Sequence, residues 1–64
     1  MTGEQIRAEM VLRRVRIKDV ARRCGASHSL VSLVIDGKRR NPVVRRAVAR
    51  AIGRPVRDVF PEAA

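Results

Sequence analysis

Residues 16–40 read RIKDVARRCGASHSLVSLVIDGKRR, and this stretch decides the fold. Ile17, Val20, Ala21 and Cys24 recur at i, i+3, i+4 and i+7, so they share one face of a helix. Asp19 lies in the first turn of that helix, where a carboxylate favours the positive end of the helix dipole. Gly25 follows the last apolar position and predicts a left-handed residue that ends the helix. Ser27 then predicts an N-cap, its hydroxyl accepting from the first free N–H groups of a further helix. Leu30, Val31, Val34 and Ile35 form the expected buried stripe of that helix, and Asp36-Gly37 closes it. His28, Ser29 and Ser32 lie opposite the stripe and face solvent or a partner.

The spacing between the two helices adds a tertiary signal. Two helices crossing steeply after a tight turn need a small residue at the point of approach, which Ala21 supplies. They need a glycine four residues later for the turn and a branched apolar residue six beyond that, the places of Gly25 and Val31. Bracketed by Val20 and Val34, this set is the packing pattern of a helix-turn-helix over about residues 17–36.

Outward from this centre the chain stays helical, because period-two alternation of β-branched residues is missing. Thr2 predicts an N-cap for a first helix from about Gly3 to Arg14, with Ile6 and Met10 inward and Val11 and Leu12 widening the apolar stripe. Pro42 suits the first position of a fourth helix carrying Val44, Ala47, Val48, Ala51 and Ile52 inward, and Gly53 ends it. A last short turn from Val56 to Phe60 stops at Pro61. The expectation is an all-α, five-helix single domain over residues 1–64.

Composition bounds the partners. The chain carries fifteen Lys and Arg against six Asp and Glu, a net charge of +9, and thirteen of the cations are arginine. Such a balance points to a polyanion, and the planar guanidinium fork suits phosphates and guanine edges. A chain this short buries only roughly 60% of its unfolded surface, so its core is thin. One cysteine, Cys24, allows no intrachain disulfide and no cysteine-based zinc site, and its place on the apolar stripe makes it a small core residue. Neither an acid/base pair nor a nucleophile constellation is apparent, so no enzyme, cofactor, metal or small-molecule ligand is expected. No run approaches the ~20 apolar residues of a membrane span, and the first ten residues lack a signal-peptide layout. A cytoplasmic, nucleoid-associated protein without a membrane partner is the expectation.

The stretch VARRCGASHSLVSLVIDGKRR resembles the helix-turn-helix of the lambda-repressor-like (Cro/C1, or XRE-type) DNA-binding domains. IRAEM is similar to the first helix of that family and AVARAIGRPVRDVFP to its closing segment; the short format and the VFPEAA ending look closest to small phage and prophage regulators of the Ner/Nlp type. The resemblance implies a third helix in the DNA major groove, with His28, Ser29 and Ser32 toward base edges. Backbone contacts are expected from Arg16, Lys18, Ser27, Lys38, Arg39, Arg40 and Arg45. The family often has glutamine at the start of the second helix; Ile17 stands there, so Arg16 or Lys18 takes over the phosphate contact. Within each of the pairs Arg22/Arg23 and Arg45/Arg46 one member is expected to face the DNA backbone and the other water.

The implied function is a sequence-specific regulator of transcription on double-stranded DNA, a phage-type repressor acting by promoter occlusion as a homodimer on an inverted repeat. Val56, Val59 and Phe60 are either its dimer interface or a plug for the domain's own core. The competing readings are an antitoxin-like or operon autorepressor working with a protein partner, and a nonspecific architectural DNA-binding protein. Near absence of aromatics argues against single-stranded RNA, which needs stacking platforms.

Overall fold

Each of the four longer helices begins where the sequence supplies an oxygen for its unpaired N–H groups or its cap. In the computed structural model, which describes residues 1–61, the order is α1 (Gly3–Leu12), α2 (Ile17–Cys24), α3 (His28–Ile35), α4 (Pro42–Ala51) and α5 (Val56–Val59). Among the described residues there is no strand. The last three positions of the expected domain, and with them the end of VFPEAA, lie outside the described residues.

Thr2 and Gln5 form a reciprocal capping box: Gln5 N–H donates to Thr2 Oγ1 at 3.1 Å and Thr2 N–H to Gln5 Oε1 at 2.8 Å. Asp19 Oδ2 accepts from the Arg16 N–H at 3.0 Å and fixes the start of α2. Ser27 Oγ accepts from Leu30 N–H at 3.0 Å at the head of α3. Asn41 Oδ1 accepts from Val43 and Val44 N–H at 3.1 and 3.2 Å, with Pro42 at the first position of α4.

The helix ends repeat one device, a residue in the left-handed region after the last turn. Gly25, Gly37 and Gly53 take it after α2, α3 and α4. After α1 the same place falls to Arg14, with φ of 56°, and Val15 N–H returns to the Met10 carbonyl at 2.8 Å. The first helix therefore ends at Leu12, two residues before the expected Arg14.

Ile6 and Met10 of α1, Val20 and Ala21 of α2, and Val31, Val34 and Ile35 of α3 meet in one core. Val44, Val48, Ala49 and Ile52 come from α4 and its cap, and Val59 and Phe60 from the C-terminal turn. Helix α2 packs on α3 and α4, α4 also on α3 and α5, and α1 on α3. The expected packing residues Val20, Ala21, Val31 and Val34 are all buried, and Gly25 has φ of 67°. Ile17, Cys24 and Leu30 are half-buried against the same core.

Three expectations about burial change. Val11 and Leu12 do not widen the α1 stripe; they are 75% and 77% exposed. They lie about 100° and 200° around the helix from Met10, away from the inward line through Ile6 and Met10. On α4, Ala49 is fully buried while Ala47 and Ala51 are half-buried. Arg45, only 5% exposed, also turns inward.

Gly3 allows α1 to approach the end of α3. A Cβ there would sit 2.9 Å from Asp36 Oδ1 and 3.2 Å from the Ile35 carbonyl oxygen. Among the described residues no helix is long and apolar enough to cross a membrane.

Candidate nucleic-acid interface

The exposed side of α3 carries the candidate site. His28 and Ser29 are exposed in its first turn, and Ser32 is half-buried one turn on. Leu33 is half-buried beside them but does not pack against the core, so it presents apolar surface on the same side. Sequence patterning assigns Leu33 to neither face, although it falls off the stripe of Leu30, Val31, Val34 and Ile35.

Ser32 is not a free hydroxyl. Arg7 of α1 donates from Nη2 to Ser32 Oγ at 3.0 Å, and its guanidinium also pairs with both carboxylate oxygens of Asp36. The hydrogen bond from Arg7 is the first cause holding the Asp36 carboxyl below its ordinary value of 3.8; desolvation comes next and pushes it up, and the charges of Arg7 and then Lys38 lower it further. Asp36 is a carboxylate at the end of α3, where the helix dipole is unfavourable to it and where a bound phosphate would be repelled. The Arg7 guanidinium offsets that charge. No local spacing signals Arg7, which acts on residues 25 and 29 positions further along the chain.

Exposed cations lie on the segments that follow α3 and begin α2. Lys38, Arg39 and Arg40 are exposed after the left-handed Gly37, and Arg16 and Lys18 are exposed at the head of α2. Ser27 spends its side-chain oxygen on the cap of α3, leaving its hydroxyl proton for an outside acceptor. Arg22 and Arg23 are both exposed, as is Arg46.

Arg45 departs from expectation. Its guanidinium lies 5.0 Å from the centroid of the Phe60 ring, inside the domain, in cation–π geometry. It is thereby removed from the set of phosphate contacts, and the Arg45/Arg46 pair divides between core and water. Val59 and Phe60, 0% and 3% exposed, plug the chain's own core. Of the three residues considered for a dimer interface, only Val56 keeps part of its surface outside.

Comparison with family models, curated proteins and solved structures finds no match for this chain.

Proposed function

We propose that this chain is a sequence-specific double-stranded DNA-binding regulator of transcription, of the lambda-repressor-like helix-turn-helix kind. In this reading α2, the turn at Gly25 and α3 form the motif, and α3 enters the major groove. The observation that carries it is the outer side of α3, where His28, Ser29 and Ser32 stand together, with exposed cations after the helix at Lys38, Arg39 and Arg40.

Two layers of binding follow. Lys and Arg contacts supply sequence-independent affinity by releasing counterions, so binding falls steeply with salt. The hydroxyls, His28 and the Leu33 methyls supply discrimination, the latter by contact with a thymine methyl. Without bidentate side chains on α3, part of the specificity comes from DNA shape. Repression by occlusion is the simplest mode of action, and a homodimer on two half-sites gives a small module enough footprint.

Selection of bound duplexes from a random pool at ~150 mM salt tests the proposal, because that salt suppresses nonspecific phosphate binding. An enriched inverted repeat with half-sites ~10 base pairs apart is the expected result. Loss of all binding at this salt, with no enriched sequence, would reduce the chain to a nonspecific polyanion binder.

A further inference from the structure

A second surface has nothing to do with α3. The end of α2, the outer face of α4 and the start of α5 enclose an open groove of about 730 Å³. Its floor is apolar: Cys24, Ala47 and Val56 are half-buried in it, and Val43 is 50% exposed along it. Its rim is Arg23, Arg46, Arg50 and Arg54, and among the described residues no acidic one lines it. Among the described residues Arg54 pairs with Glu9, whereas Arg23, Arg46 and Arg50 form no ion pair.

The helix geometry orders these charges. Val43, Arg46, Ala47 and Arg50 fall at i, i+3, i+4 and i+7 on one stripe of α4, with Val43, Arg46 and Arg50 exposed and Ala47 half-buried against the core. Arg46 and Arg50 are one turn apart, about 6 Å along the axis, and Arg54, past the end of α4, stands at the same rim. A helix laid alongside, with carboxylates four residues apart, presents the matching spacing, and its apolar residues one position over reach the floor.

We propose that this groove docks an acidic amphipathic helix of a partner protein. Charge complementarity selects that occupant. A second copy of this chain brings fifteen cations against six carboxylates toward a rim that is itself arginine, so like charges oppose each other. A nucleic-acid backbone satisfies the arginines but leaves the floor formed by Val43, Ala47 and Val56 without apolar cover. Only a partner that is both acidic and apolar uses both parts. No residue of α3 lines this groove.

The test uses the full chain with labelled methyl groups, titrated at ~150 mM salt with a synthetic helical peptide. The peptide carries Glu every fourth residue on one flank and Leu on the adjacent stripe; a control of equal charge has Ser for each Leu. Saturable shifts of the Val43, Ala47 and Val56 methyls are expected with the Leu peptide, and at least about tenfold weaker binding with the Ser peptide. Arg46→Glu with Arg50→Glu is expected to weaken the Leu peptide about tenfold or more, because reversing rim charges turns attraction into repulsion. Both substitutions are on exposed residues, and an unchanged melting curve verifies the fold. The proposal is overturned if those methyls do not move, if the Ser peptide binds equally well, or if duplex DNA shifts them in place of the peptide.

Discussion

Arg7 Nη2 donates to Ser32 Oγ at 3.0 Å, joining α1 to the candidate interface on α3. The bond occupies one lone pair of the hydroxyl and leaves its proton to be donated outward. Ser32 is thereby biased toward acceptors, which in the major groove are N7 and O6 of guanine, N7 of adenine and O4 of thymine. The same guanidinium offsets Asp36, so one side chain both orients a donor and removes a repulsion.

Arg7→Ala is therefore expected to weaken binding to the selected duplex about fivefold to tenfold, the range for one missing charge-assisted hydrogen bond plus an exposed like charge. Adding Asp36→Asn should recover part of the loss, because the bare carboxylate is gone. A double-mutant cycle by fluorescence anisotropy measures the coupling. Strict additivity of the two substitutions would separate Arg7 from the interface.

Asp36 also gives the fold an acid-sensitive contact. Its folded carboxyl releases its proton more readily than the ordinary value of 3.8, chiefly because of the Arg7 hydrogen bond. The stabilisation is complete above that value and is lost as pH falls through the lower folded value. Asp36→Asn should melt at a lower temperature than the native chain at neutral pH, and the gap should begin to narrow near about pH 4 and close only as pH falls past the lower folded value. Thermal melts across the acid range read this directly; a gap independent of pH would rule out the charge as its source.

Arg14 holds a left-handed conformation that the ends of α2, α3 and α4 give to glycine. Arg14→Gly removes the Cβ–carbonyl conflict and should stabilise the domain by about 1 kcal/mol. In a domain of this size that is a rise of roughly 4–8 °C in Tm. Gly25→Ala imposes the reverse strain and should lower Tm by a similar amount, since its φ is 67° while no atom crowds the added methyl.

Phe60 seals the base of the core and carries the Arg45 guanidinium on its ring. Phe60→Ala should cost about 3–5 kcal/mol, which leaves a small domain largely unfolded. Circular dichroism at two protein concentrations distinguishes this from an interface role. A core residue lowers the melt equally at both, whereas an interface residue lowers it only through association.

The salt dependence of DNA binding is the fifth expectation. Removing Lys38, Arg39 or Arg40 singly should weaken all duplexes alike and reduce the slope of log affinity against log salt by about 0.9 for each phosphate no longer neutralised. Arg45→Ala, by contrast, should act on the melting curve, because Arg45 is packed against Phe60.

Helix starts and most helix stops were legible in the linear sequence, because caps and left-handed turns are settled within three or four residues. Thr2, Ser27, Pro42, Gly25, Gly37 and Gly53 all signal locally, and the inward lines through Val20, Val31, Val34 and Val48 follow from helical period alone; the Asn41 cap of α4 emerges only in the structure. The end of α1 was not legible, since an arginine holds the place that glycine marks elsewhere. Tertiary structure alone decided that Val11 and Leu12 face water, that Arg45 gives up solvent for an aromatic ring, and that Val59 and Phe60 close the chain's own core. It alone brought Arg7 to Ser32 and Asp36. Periodicity says which residues share a face; what covers that face comes from distant parts of the chain, and only their packing sets burial and charge pairing.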